Sequence, residues 1–394
     1  MTKISDFVKV KKQSVAGRYS KPKVSMGHFI EDYQDGKIDL VGDFKDLMKH
    51  KDEVFNYDFT AGHYNFFITR FIPEVTMHTK SQDERIVRSH YDDKNDLFNW
   101  FLGPRMIYTA GFYRNLTDSL EQAQDNKMNM IASKLQFKKG QTMLDIGCGW
   151  GTLVMHSAKT YGMDATGITL AQAGADWGNK QIKDNGLTPE QARILRMDYR
   201  DIPHKQYDRI TCLEMAEHVG LKNFEKFMAQ IYGLLKDDGL FYLQIAAIRE
   251  RKSPLWGPNM EDIIWGLFMN KYIFSGADAS KALNWDTRRM ENVGFEVQSV
   301  ENVGIHYSKT IDAWYYNWMS NQEKVIAKYG EHTFRMYQIF LGWSVEIARQ
   351  GSSTAYQIVC HKNLNDFNRP RFIGAVSFGD RDRIDAAAKA ASMA

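Results

Sequence analysis

The sequence predicts an α/β protein built on a doubly wound sheet, and three observations carry that reading. Between residues 141 and 248, short apolar runs alternate with segments of helical periodicity. The first run, "TMLDIG", leads into a turn holding Gly147, Gly149 and Gly151, directly before a helical stretch. Two helical stretches then stop on glycine, at Gly162 and Gly186, the residue that most easily adopts a left-handed C-cap.

The elements follow in order. "TMLDIG" is a strand, "TLVMHSAKTYG" a helix, "DATGITL" a strand and "ADWGNKQIKDNG" a helix. "ARILRMD", "DRITCLE" and "GLFYLQIAAI" are three further strands, with the helix "NFEKFMAQIYGLLKDDG" between the last two. Residues 250–345 break the alternation and are rich in Trp, Tyr, Phe and Met, as in "AWYYNWM" and "FRMYQIFLGW". A final strand, "TAYQIVCHKN", is expected to return to the sheet. Residues 1–80 carry no clear motif and read as an irregular or helical extension. The Ala-rich end, "DRDRIDAAAKAASMA", reads as a frayed tail or short helix.

Composition narrows the function. A hydrophobic fraction of 43% and a charged fraction of 25% are those of a soluble globular protein. The net charge of +3 is too near neutral for a nucleic-acid partner, and the cations gather in no dominant stripe. Lys9, Lys11, Lys12, Arg18, Lys21 and Lys23 cluster near the start, either as a solvated arm or as a weak anchor to anionic lipid. Cys148, Cys212 and Cys360 are widely spaced, which fits reduced thiols in a cytoplasmic compartment and neither a disulfide framework nor a metal site. No apolar run of about 18 residues suggests a membrane span, and the N-terminus lacks the apolar core of a secretory signal.

The glycine turn is neither of the common phosphate loops. The spacing G-C-G-W-G misses GxGxxG by one position, and no lysine follows as a P-loop requires. What remains is a strand, the carboxylate Asp145, a turn that lets a ligand approach the backbone, and a helix. An acid at that place suits a cationic or amine-bearing ligand.

"LDIGCGWG" resembles motif I of the class I S-adenosylmethionine (SAM)-dependent methyltransferases, and "RMDYRD" fits the same pattern. The resemblance implies a Rossmann-like mixed sheet with SAM at its carboxyl edge. It gives Asp145, Gly147 and Gly149 to the methionine end of SAM, Thr169 and Leu170 to the ribose, and Asp198 and Tyr199 to the adenine. Longer phrases narrow it: "RSHYDDKNDLFNWFLGPRMIYTAGFY", "GCGWG", "EMAEHVG", "NKYIF" and "HYSKTIDAWYYNW" resemble the cyclopropane-fatty-acyl-phospholipid synthases. Within that family, "FNWFLGPRMIYT", "ITCLEMAEHVG", "EDIIWGLFMNKYIFSGADAS" and "RQGSSTAYQIV" are similar to the fungal sphingolipid C9-methyltransferases. The implied organisation is an N-terminal extension over 1–80, a methyltransferase domain over 81–365 whose aromatic insertion at about 250–345 covers the substrate, and a tail over 366–394.

The resemblance also implies a chemistry. An alkene in a lipid chain attacks the methyl of SAM, and a base removes a proton from the resulting carbocation. Loss from the new methyl closes a cyclopropane; loss from the chain restores an alkene with a methyl branch. A carbocation needs an aromatic, water-poor cavity. Glu217 and Tyr307 stand where the family holds a bicarbonate ion that serves as the base, and Tyr108 and Thr109 match a Tyr-Ser pair that touches SAM. His218 is a second candidate base or a supporting residue.

Four departures qualify the likeness. Ala110 replaces a cysteine of the cyclopropane synthases, and Gln244 replaces a histidine. Both belong to the bicarbonate site, so the ion either binds differently here or does not bind, and Gln244 favours branching over ring closure. Gly174 falls where a ribose-binding glutamine is expected. Lys94 replaces a glycine, at a cost of about 1 kcal/mol if the position has positive φ. The partner is thus an unsaturated lipid, met as a peripheral protein, in the leading reading. The alternatives are a cyclopropane synthase, an N- or S-methyltransferase of a small molecule, and a non-enzymatic lipid- or SAM-binding module.

Overall fold

The computed structural model describes residues 2–71, 80, 94–248, 259–277, 279 and 281–373. The start of the "RSHYDDKND" phrase, the "WGP" of residues 256–258 and the Ala-rich end lie outside the described residues. The chain forms two compact units. One comprises Met1–Met77, Glu250–Gly276 and Ser308–Ser353; the other comprises His78–Arg249, Ala277–Tyr307 and Thr354–Ala394.

The second unit is built on a seven-stranded sheet. Its strands are β1 (Thr142–Ile146), β2 (Asp164–Thr169), β3 (Ala192–Arg196), β4 (Tyr207–Leu213), β5 (Leu235–Ile248), β6 (Phe295–Asn302) and β7 (Ser353–Lys362). Their spatial order is β6-β7-β5-β4-β1-β2-β3. β1 pairs in parallel with β2 and β4, β2 with β3, and β4 with β5, while β6 and β7 are antiparallel. β1 and β4 lie mid-sheet, and Met143, Leu144, Ile146, Ile210 and Cys212 are buried on its two faces, as the near-continuous apolar runs require. The helices Thr152–Tyr161, Gln172–Asp184 and Phe224–Leu234 fall where the periodicity places them. Gly162 closes the first in a left-handed conformation, with φ 64°.

The winding reverses between β1 and β4. The chain passes from β1 outward through β2 and β3, then crosses back to β4 on the other side. Ligands of such sheets sit outside the carboxyl ends of the strands at this switch point. Asp145 near the end of β1 and Glu214 just after β4 therefore lie at the same edge of the sheet, on adjacent strands.

Two sequence expectations need revision. The segment 250–345 is not a single interruption, because "FEVQSVEN" within it forms β6 and pairs with β7 from Phe295↔Lys362 to Asn302↔Tyr356. Lys94 has φ −123°, so the glycine replacement carries no left-handed strain.

The first unit has a buried core of its own. Ile4, Val8, Phe29 and Ile38 are buried, and the strand Val8–Val10 pairs antiparallel with Ile38–Leu40. The basic cluster is therefore no solvated arm: Arg18 pairs with Asp32, Lys11 with Asp39 at 3.0 Å, and the Lys23 ammonium donates to the Asp52 carbonyl at 2.6 Å. Arg335, on the long helix Gln322–Arg349 bent at Gly330, donates to the Tyr33 and Ile38 carbonyls at 2.8 Å each. Buried Glu261 pairs with Lys51 and accepts from Trp343 Nε1, Gln350 Nε2 and the Tyr57 hydroxyl at 3.1, 3.1 and 3.2 Å. Among the described residues no helix is long and apolar enough to cross a membrane.

Candidate active site

The glycine turn is shaped by steric need. Gly147, Gly149 and Gly151 have φ of 77°, 56° and 74°, values that side chains resist. A Cβ on Gly147 would lie 2.5 Å from Met215 Cβ, so the turn after β4 packs directly on the turn after β1. The N–H groups of Gly147 and Cys148 both donate to the Ile168 carbonyl, at 3.0 and 2.9 Å, which ties the turn to β2. Among the described residues, a Cβ added to Gly149 would meet nothing within 4 Å. Gly174, where a glutamine was expected, packs so closely that a Cβ would sit 2.7 Å from the Gly149 carbonyl oxygen, so no larger residue fits.

Asp145 is 4% exposed and accepts from the Thr211 hydroxyl at 2.7 Å across the β1–β4 register. Burial pushes its carboxyl up to about 6, against the Thr211 hydrogen bond and the Lys127 charge. A buried carboxylate beside a glycine turn is a fitting partner for a cation. Thr169 ends β2, where its hydroxyl accepts from the Ala171 N–H at 3.3 Å and its carbonyl from the Met197 N–H at 3.0 Å; Leu170 follows, half-buried. Asp198 is engaged with Arg200, accepting from its backbone N–H at 2.8 Å and from Nε and Nη2 at 2.7 Å each. The Tyr199 ring meets Phe227 edge-on at 4.9 Å. The Tyr108 ring is held edge-on by Phe98 and Phe101, both at 5.5 Å.

The polar cluster beyond β4 joins residues that are far apart in sequence. Glu214 follows β4 in the left-handed region, with φ 55°, and its N–H donates to the Gln244 carbonyl at 2.8 Å. Its carboxylate accepts from Gln244 Nε2 at 2.7 Å and, through the other oxygen, from the Tyr307 hydroxyl. The Tyr242 hydroxyl donates to Gln244 Oε1 at 3.3 Å, which fixes the amide so that its NH₂ faces Glu214. Burial raises the Glu214 carboxyl above its ordinary range, against the Tyr307 and Gln244 hydrogen bonds and the Lys127 charge. Glu217 is held differently. Its Oε1 accepts from the Ala246 N–H at 2.5 Å, its Oε2 has no hydrogen-bond partner among the described residues, and burial with the Glu214 charge pushes it up to about 8. His218 shares the short turn Ala216–His218 with Glu217.

The structure thus brings Tyr307 and Gln244 together on Glu214, not on Glu217. Two further residues belong here that the sequence reading did not single out. Lys127, in the helix Leu120–Lys134, is 2% exposed, donates to Thr109 Oγ1 and faces the charges of Glu214 and Asp145. Burial lowers its ammonium to about 8 against those two acids. His306 accepts from the Tyr113 N–H at 3.0 Å, and burial drops it to about 4, so it is neutral. A lone lysine on a helix and a histidine beside Tyr307 carry no sequence signal; only the fold places them.

Comparison with known proteins agrees with this fold. The family model "Mycolic acid cyclopropane synthetase" matches residues 78–358. Sphingolipid C9-methyltransferase 2 of Gibberella zeae is 45% identical over 371 residues, covering 93% of this chain and 70% of that protein. The sphingolipid C9-methyltransferase of Komagataella phaffii is 45% identical over 381 residues, covering 94% and 77%. A mycolic acid cyclopropane synthase complexed with SAH and CTAB superposes with a TM-score of 0.66 at 26% identity, over 73% of this chain and 100% of that one. A coclaurine N-methyltransferase has the same fold, with a TM-score of 0.66 at 17% identity over 86% and 99%. With a seven-stranded sheet of class I order, an acid and glycine turn at its switch point and a family match over most of its length, the chain belongs to the mycolic acid cyclopropane synthetase family of SAM-dependent methyltransferases.

Proposed function

We propose that the protein methylates a carbon–carbon double bond in the unsaturated chain of a sphingolipid and leaves a methyl branch. The observation that carries this reading is the buried carboxylate cluster beyond β4, in a chain 45% identical over 93% of its length to a protein named sphingolipid C9-methyltransferase. An amine attacks with its own lone pair once deprotonated and can give up its proton to solvent, whereas an alkene carbocation needs a base shielded from water.

SAM supplies an electrophilic methyl on a sulfonium. Asp145, Gly147 and Gly149 are the residues proposed for its methionine end, Tyr108 and Thr109 for the same pocket, Thr169 and Leu170 for the ribose, and Asp198 with Tyr199 for the adenine. Asp145 fits this role as a buried acid two residues before the glycine turn. Bicarbonate fits poorly. Tyr307 and Gln244 both donate to Glu214, and Ala110, which stands where the resemblance expects a cysteine, has no side-chain donor. No step is therefore assigned to that ion. Long-chain sphingolipids partition into bilayers, so we place the encounter with substrate at a membrane surface.

The test offers methyl-labelled SAM with three separate acceptor pools: sphingolipids, fatty acyl phospholipids and polar amines. Label in sphingolipid supports the proposal. Label in fatty acyl chains alone moves the substrate within the lipid class, and label only in polar amines refutes lipid methylation.

A further inference from the structure

We propose that the Glu214 carboxylate is the resident base of the reaction and stands in for an exogenous carboxylate such as bicarbonate. The inference rests on the lipid-methylation reading above. It follows from which donors meet at which acceptor. Tyr307 and Gln244 lie 93 and 30 residues from Glu214 along the chain, yet each gives its hydrogen bond to one of its two oxygens. Tyr242 orients Gln244 from behind, so the arrangement is supported at two removes. All four residues belong to one compact unit.

The backbone is bent to deliver this side chain. Glu214 sits at φ 55°, a conformation that costs a side-chain-bearing residue roughly 1 kcal/mol or more and that glycine would adopt freely. A side chain kept at such a position is supported by what its carboxylate does there. Both its partners are donors, so the group is set up to be an acceptor. Lys127 adds a buried positive charge facing it. Burial raises both carboxyls, with the Glu214 charge adding to the rise at Glu217, while the Tyr307 hydroxyl, the Lys127 charge and the Gln244 amide oppose it at Glu214.

The step balances without any other reactant. The alkene π pair forms a C–C bond to the methyl as the S–CH₃ bond breaks toward sulfur. Glu214 then takes a proton from the chain, and the C–H pair closes the new double bond. The products are a methyl-branched alkene, S-adenosylhomocysteine and a protonated Glu214, which returns its proton to solvent.

The experiment measures methyl transfer into lipid by wild type, Glu214→Gln and Glu214→Gly, each in CO₂-free buffer and with added bicarbonate or formate. SAM binding by calorimetry checks the fold of each variant. We expect wild type to be indifferent to bicarbonate within about twofold, and both variants to bind SAM but lose at least about 100-fold in turnover. Glycine suits the local φ and leaves a carboxylate-sized space, so bicarbonate or formate should restore Glu214→Gly by about tenfold while leaving Glu214→Gln unchanged. Wild type that needs bicarbonate overturns the proposal. So does either variant turning over within about tenfold of wild type, or a Glu214→Gly protein that binds SAM and is not rescued. If Glu214→Gly fails to bind SAM, the near-isosteric Glu214→Gln and the wild-type bicarbonate response decide. Wild type that labels no lipid refutes the methylation reading itself, and with it the need for this base.

Discussion

Replacing Glu217 by Gln should stabilise the protein, and increasingly so as pH rises. The carboxyl is 4% exposed, and burial with the Glu214 charge moves it from an ordinary 4.5 to about 8. The sign follows from proton counting. Below 4.5 the group is protonated in both folded and unfolded chains. Between 4.5 and 8 the unfolded chain releases the proton and the folded chain keeps it, so stability falls as pH rises. At about 1.36 kcal/mol per pH unit, the loss is about 3 kcal/mol at pH 7 and about 5 kcal/mol above pH 8. Glutamine does not titrate and offers the same Oε1 to the Ala246 N–H. Wild type and variant should therefore unfold together near pH 5 and separate progressively toward pH 8.5, with the variant higher by several degrees. Thermal unfolding at pH 5, 7 and 8.5, in buffers matched for ionic strength, reads the difference. A gap that does not change with pH, or a variant less stable at pH 8.5, would refute the reasoning.

Three further outcomes follow from the site and its support. Gly147→Ala forces a Cβ to within 2.5 Å of Met215 in a left-handed turn; it should cost at least about 1–2 kcal/mol and weaken SAM binding, read by denaturant unfolding and calorimetry. The Asp145 carboxyl, raised to about 6, is a cation partner only when ionised, so SAM affinity should fall as pH drops below about 6, and Asp145→Asn should abolish that dependence. Glu261→Ala leaves the Lys51 ammonium buried without its carboxylate and should destabilise by about 3–5 kcal/mol in urea unfolding, with Glu261→Gln recovering part of the loss.

The central strands were legible because they are buried on both faces and read as apolar runs bounded by glycine and acid. β6 was not, because "FEVQSVEN" is an edge strand with every residue from Glu296 onward partly or largely exposed, and its polarity resembles that of a loop. The N-terminal region read only as irregular or helical for a related reason. Its order comes from distant partners, such as Arg335 on the Tyr33 and Ile38 carbonyls, and not from local periodicity. In the site, Asp145 and the glycines carry a local motif, whereas Glu217, Gln244 and Tyr307 emerged through long matched phrases. What no phrase conveyed was the pairing: Tyr307 reaches Glu214 only because Glu214 leaves β4 at a positive φ and the helix beginning at Gly304 delivers the tyrosine hydroxyl. Lys127 was invisible because its burial depends on which face of the helix Leu120–Lys134 meets the sheet.

The most direct test of the account gives the purified protein SAM deuterated throughout its methyl group, together with an unsaturated sphingolipid, and reads the product by mass spectrometry with fragmentation of the sphingoid chain. The account predicts a branch that keeps all three deuterons on a chain whose double bond persists, because the proton leaves from the chain. A product that keeps two deuterons in a saturated ring, or deuterium found only on a polar amine, would contradict it.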